Sequence, residues 1–163
     1  MIILILLISF ALEGIFSNLL SANSILIPLF TIISFVIVYP YFKNEKNKFY
    51  IYAGLIGLLY DIVYTNCPFV NTFTFLITSL MISLIYEYIT VSKFNVTLIN
   101  IIILLFYQTI SYIILCFFSY TTFNETTLLT TLYSSIIINV IYGFLLFILV
   151  SFLDKRHNIR KMS

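Results

Sequence analysis

The sequence predicts an all-α polytopic membrane protein, a compact bundle of six transmembrane helices. Three observations predict it. First, 62% of the 163 residues are hydrophobic and 9% are charged, where a soluble domain carries about 25% charge; so few polar groups cannot cover a small soluble globule. Second, apolar runs of helical length recur along the whole chain, and a helix needs about 20 residues to cross the hydrocarbon core. Third, all the basic residues can be placed on one side of a bilayer.

The first run is Ile2 to Leu20. It has no basic leader, exceeds a signal-peptide core in length and carries Glu13 in its middle, so it reads as a true span. The polar turn Ser21-Ala22-Asn23-Ser24 separates it from the second run, 25–42. Lys43-Asn44-Glu45-Lys46-Asn47-Lys48 follows, the most charged stretch before the tail. The third span is 49–66. Asn66-Cys67-Pro68 then turns the chain, with Pro68 placed to start the fourth helix, 72–91. Ser92-Lys93-Phe94-Asn95 is a short break before the fifth, 96–120. The longest connection, Thr121 to Thr130, holds Asn124 and Glu125 and leads to the sixth, 131–153. Backbone groups in lipid must bond within their own segment, and the runs lack the alternation of a barrel strand. Connections this short make antiparallel neighbours in one domain.

Charge sets the orientation. With the N-terminus in the cytoplasm, the second and fourth connections and the tail lie inside. They hold Lys43, Lys46, Lys48, Lys93, Lys155, Arg156, Arg160 and Lys161, all eight basic residues of the chain. A five-span arrangement would put the lysine loop or the basic tail outside, against the positive-inside rule. The expected topology is therefore N-in and C-in. No internal repeat supports a transporter built from inverted halves.

Catalytic motifs are missing. The sequence has no nucleophile elbow, no HExxH, no phosphate loop and no histidine with acid neighbours. Cys67, Cys116 and the single histidine, His157, make neither a metal cluster nor a disulfide framework. No metal and no cofactor is expected, and an enzyme is the weakest class.

Three carboxyl groups fall inside or at the edge of spans: Glu13, Asp61 and Glu87. A charge at bilayer depth costs about 2.5–3.5 kcal/mol on translocon scales, so such residues are functional suspects. Glu87 sits one turn from the inner end of its helix and reads as an interfacial acid near Lys93. Glu13 and Asp61 have no Lys or Arg within any span to match them. Each must be protonated, hydrogen-bonded by neighbours, or met by a group from another chain. Ser9, Glu13 and Ser17 form one stripe at i, i+4, i+8. Gly54, Gly57 and Asp61 share a face that lets another helix approach. Ser79, Ser83, Glu87 and Thr90 make a further stripe, as do Gln108 with Ser111, and Ser135, Asn139 and Gly143. Stripes of small and hydroxyl residues are also ordinary packing faces.

The stretch Gly54-Leu55-Ile56-Gly57-Leu58-Leu59-Tyr60-Asp61, followed by Tyr64-Thr65 and an apolar helix, resembles the signature region of MreD, the rod shape-determining membrane protein of bacteria. The first helix, Ala11-Leu12-Glu13-Gly14-Ile15-Phe16, resembles the Ala-x-Glu form of its Firmicute type. The loop after the signature usually holds a glycine there; here it reads Cys67-Pro68-Phe69. The resemblance implies a plasma-membrane subunit without catalysis. It would bind the bitopic protein MreC and, through it, serve the MreB filament and the peptidoglycan synthases. Glu13, Gly54, Gly57, Tyr60 and Asp61 are the residues expected to bind a partner or pack helices. The alternative is the substrate-binding membrane subunit of an energy-coupling vitamin transporter, also a six-helix chain of this size.

Overall fold

A computed structural model describes residues 2–20, 26–65, 69–89 and 92–157. Among these the chain is helical without strands: α1 (Ile2–Leu20), α2 (Phe30–Val38) continued by a 3-10 turn (Tyr39–Phe42), α3 (Lys46–Val63), α4 (Val70–Tyr88), α5 (Lys93–Phe117) and α6 (Glu125–His157). The order is the predicted one, and four helices, α1, α4, α5 and α6, are long and apolar enough to cross a membrane. They mark a membrane protein. α2 is too short to do so, and α3 carries Lys46, Lys48 and Asp61 within its 18 residues. The expected turns at 21–24 and 66–68, the residues Thr90 and Cys67, and Arg160 and Lys161 of the tail lie outside the described residues.

Several boundaries differ from expectation, each for a local reason. α5 begins at Lys93 because Ser92 caps it, its hydroxyl accepting from the Asn95 N–H at 3.2 Å. α3 starts at Lys46, so part of the lysine loop is already helical. α6 begins at Glu125, where the Asn124 side chain accepts from the Thr126 N–H at 2.9 Å. The fourth helix starts at Val70, two residues before the expected start at 72. The second run is helical only from Phe30; residues 26–29 are not helical.

α2 forms the centre. All nine of its residues are buried, and it packs against α1, α4, α5 and α6. Its C-terminal end joins an aromatic cluster in which Phe35 and Tyr39 meet Phe49 of α3 edge-on, and Tyr39 lies against Tyr86 of α4. The Tyr86 hydroxyl donates to the Val36 carbonyl at 2.9 Å. α3 packs chiefly on α4. At the end carrying the lysine loop, Glu87 pairs with Lys46; the side chain of Lys93, near which Glu87 was expected, lies outside the described residues. Donating a hydrogen bond to the Glu87 carboxylate raises the Lys46 ammonium above its ordinary pKa.

Candidate functional site

Non-helical backbone buried in a helical bundle needs other protein groups to satisfy its N–H and C=O groups. The segment before α2 shows how this chain does so. Asn139 of α6 accepts from the Leu29 N–H at 2.7 Å and donates to the Ile27 carbonyl at 2.8 Å. The Ile27 N–H donates to the Ser134 carbonyl at 3.3 Å. Ser135, Asn139 and Gly143, grouped as one stripe from the sequence, are all buried and face inward. Ser135 donates to Gln108 of α5 at 3.1 Å. Gly143 leaves room for Asn100 and Ile33: a β-carbon there would lie 2.7 Å from the Asn100 amide nitrogen.

A helix start leaves backbone N–H groups without intrahelical partners, and Ser, Thr, Asp or Asn at the N-cap normally accepts one. The N-cap of α2 is Leu29 and that of α4 is Phe69, and neither side chain can accept anything. In both places a carboxyl from a neighbouring helix takes over. Glu13 of α1, 1% exposed, accepts from the Thr31 N–H at 2.8 Å through Oε2. Its Oε1 accepts from the Tyr60 hydroxyl of α3 at 2.5 Å. Asp61, 8% exposed, accepts through Oδ1 from the Asn71 N–H at 2.9 Å and the Asn71 side-chain amide at 3.0 Å. Its Oδ2 accepts from the Thr72 N–H at 3.0 Å and the Thr72 hydroxyl at 2.7 Å. Thr65 adds a long contact to Oδ1 at 3.4 Å. Helix N-termini also favour negative charge through the aligned peptide dipoles. Of the three alternatives open from the sequence, hydrogen bonding by neighbours within the chain is the one seen for both acids.

The two caps are joined through α3. Tyr60 and Asp61 are consecutive, and about 100° of helix rotation sends one side chain toward α1 and the other toward α4. Tyr60 lies edge-on to Phe10 of α1 and to Tyr64, and touches Phe75 of α4. Tyr64 donates to the Phe10 carbonyl at 2.8 Å, and its ring fills the space that Gly14 leaves open. Beyond Asp61, the Asn71 side-chain Oδ1 accepts from the Tyr107 hydroxyl of α5 at 3.1 Å. One polar cluster thus ties α1, α2, α3, α4 and α5 together.

The glycines divide in role. A β-carbon on Gly57 would sit 2.8 Å from the Thr72 Cα and 3.0 Å from the Asn71 carbonyl, both backbone atoms that cannot swing away. On Gly54 it would meet only the Leu76 side chain, at 3.4 Å. The small face of α3 therefore receives α4 of the same chain. Gly57→Ala is expected to destabilise the fold by about 1–3 kcal/mol by overpacking. Gly54→Ala is expected to be neutral or mildly stabilising, since Ala favours helix over Gly by up to about 1 kcal/mol. Chemical unfolding in micelles measures both, and equal losses would refute this division.

The other stripes are partly retained. Ser9 is buried and shares a 2.7 Å hydrogen bond with Tyr142, while Ser17 is exposed. Ser79 and Ser83 are buried, and Ser83 bonds the Tyr39 hydroxyl at 2.9 Å. Asn71, Thr72 and Tyr107 were not foreseen as members of the cluster. The signal for them was the apolar pair after each proline, Pro28-Leu29-Phe30 and Pro68-Phe69-Val70. A helix starting there needs its cap from elsewhere. Phe69 also takes a positive φ of 67°, a conformation that glycine favours.

Among the described residues no group of three or more His, Cys, Asp or Glu could hold a metal ion. No protein-family model, curated protein or solved structure matches this chain.

Proposed function

We propose that this chain is a non-catalytic subunit of the bacterial cell-shape and peptidoglycan elongation machinery. In this reading it lies in the plasma membrane, crosses it six times with both termini inside, and binds an MreC-like bitopic partner. Through that partner it helps connect an MreB-like filament to wall synthesis. The observation that carries the reading is the segment Gly54–Asp61. The residues that resemble the MreD signature are the ones on which α3 is fitted: Gly57 admits the α4 backbone, Asp61 caps α4, and Tyr60 holds Glu13. A sequence signature placed on such a lock suits a scaffold whose job is to present a fixed helical surface. Both acids are occupied in structural hydrogen bonds, which also suits a scaffold.

The six-span reading has geometric support. Residues 26–29 add at most about 13 Å at about 3.3 Å each, and α2 with its 3-10 turn adds about 20 Å. Together they are long enough for a hydrocarbon core of about 30 Å. α3 bears its lysines only in its first turn, where they would meet the cytoplasmic interface.

Purification of the tagged chain from native membrane, followed by mass spectrometry of proteins and small molecules, tests the function. The expected result is a co-purifying protein with one transmembrane helix and an extracytoplasmic domain. A stoichiometric vitamin in its place would overturn the reading in favour of a transporter subunit. A reporter active only outside the cell, fused after Ser163, is expected to stay silent; activity would overturn the orientation.

A further inference from the structure

Two rulers fix the outer edge of the hydrocarbon for a chain oriented as above. Counted back from Leu153, the last apolar residue before Asp154, a core of about 30 Å takes about 20 residues of α6 and ends near Tyr133. From the lysine loop, α2 with its 3-10 turn and the segment before it reach the same level, because the Ile27 N–H donates to the Ser134 carbonyl. Gln108 of α5 stands level with both, donating to the Thr131 carbonyl and accepting from the Ser135 hydroxyl, each at 3.1 Å. α3 ends at Val63 and α4 starts at Val70 close to this level, since Tyr107 bonds Asn71. α5, however, runs on from Gln108 to Phe117, and α6 begins at Glu125, well before Ser134. Each arm adds about 13 Å at about 1.5 Å per residue. The headgroup layer is only about 5–8 Å deep on each side. The α5–α6 hairpin therefore stands out of the membrane as a spur.

The end of the spur is tied down and aromatic. The Tyr112 hydroxyl accepts from the Asn124 N–H at 2.8 Å and lies 3.2 Å from the Thr122 and Asn124 carbonyls, which folds the connection back on α5. Phe117, Phe118, Tyr120, Phe123 and Tyr133 are each more than half exposed. An aromatic side chain offers about 150–250 Å², so the five leave about 600 Å² open. That matches the largest apolar patch of an ordinary monomer and approaches the roughly 800 Å² per partner of a standard protein interface. Hydrocarbon does not reach this height to cover it, and Tyr and Phe are residues that interfaces concentrate. Charge decides between a second copy and a different protein. Glu125 is the only charged residue from Gln108 to Ser134, and in this orientation all eight basic residues lie at the opposite face. Two copies paired through this end would bring two Glu125 carboxylates together with no cation to match them. A different protein can supply that cation. We propose that the end of the α5–α6 hairpin docks the extracytoplasmic part of a protein partner, its rings against apolar side chains and Glu125 against a Lys or Arg. This rests on the orientation and the kind of partner proposed above.

The test uses the full chain in native membranes, with photoreactive benzoylphenylalanine at position 117 or 123, or at 84 as an exposed control within a span. After illumination, adducts are identified by peptide mass spectrometry. Positions 117 and 123 are expected to cross-link to the extracytoplasmic part of one protein several-fold more than position 84 does. Phe117→Ser combined with Phe123→Ser is expected to cut co-purification of that protein about tenfold, and Glu125→Lys several-fold. Ser34 is fully buried, so a Ser34→Cys probe that stays protected from maleimide shows the bundle intact in these variants. Should the serine pair lose that protection, the cross-links alone decide. Adducts to lipid only, or to a second copy of this chain, overturn the proposal. So does a partner that co-purifies equally well with the serine pair, and the function proposed above then stands without this surface. A natural chain that yields neither a partner nor a protein adduct at 117 or 123 overturns both.

Discussion

Asp61→Ala is expected to lower the stability of the fold by about 2–4 kcal/mol. Four close donors converge on the carboxyl, from the backbone and side chains of both Asn71 and Thr72. Alanine leaves the two N–H groups at the start of α4 without an acceptor. Phe69 cannot replace it, and an N-cap lost even in water costs about 0.5–2 kcal/mol. Asp61→Asn tests the geometry more finely. Each carboxyl oxygen faces one backbone N–H, which cannot reverse its direction. An asparagine amide must therefore point two hydrogens at one of these donors. A loss of about 2 kcal/mol is expected for Asn, nearly that of Ala. Unfolding by a denaturing detergent titrated into mild micelles measures both. An Asp61→Asn variant as stable as the natural chain would show that the cap contributes nothing.

Gly57 strengthens the same joint from the opposite side. It is one helical turn from Asp61, and both act on the first turn of α4 at Asn71 and Thr72. A face of Gly-x-x-x-Asp can thus serve one hairpin without any second protein. The sequence shows the face but cannot show which helix fills it, because periodicity places residues on a side of a helix and says nothing of its neighbour.

Other features were legible to different degrees. The span of α1 and the order of the helices follow from apolar length alone, which the bilayer sets. The break before α2 was hidden because Leu26, Ile27, Pro28 and Leu29 are as apolar as the helix they precede. What satisfies that backbone is Asn139, more than a hundred residues away. Glu13 and Asp61 stood out as costly, but their remedy is a backbone N–H. Every residue except proline carries one, so it leaves no mark on the sequence. Hence a search for a basic mate finds none, while the acids are well matched.

Glu13 gives the sharpest contrast with Asp61. Glu13→Leu is expected to release α2 from the bundle, because it leaves the Thr31 N–H and the Tyr60 hydroxyl without partners in an apolar interior, at about 1–3 kcal/mol each. Glu13→Gln is expected to cost less than about 1 kcal/mol. The amide oxygen can take the Thr31 N–H, and the Tyr60 hydroxyl, unlike a backbone N–H, can rotate and accept from the amide nitrogen. Ser34 of α2 is fully buried and reports on this directly. A Ser34→Cys probe should react with a membrane-permeant maleimide in the Glu13→Leu background and stay protected in the natural and Glu13→Gln chains. Partner co-purification should follow the same order, lost with Leu and kept with Gln, because the acid acts through the shape of its own bundle. If Glu13→Leu leaves Ser34→Cys protected yet loses the partner, the carboxyl must meet that partner itself, and the internal cap is not its role. If Gln proves as damaging as Leu by the maleimide test, the negative charge at the start of α2 matters more than the hydrogen bonds. The dipole of a helix only nine residues long would then hold α2 in place more firmly than its capping contacts do.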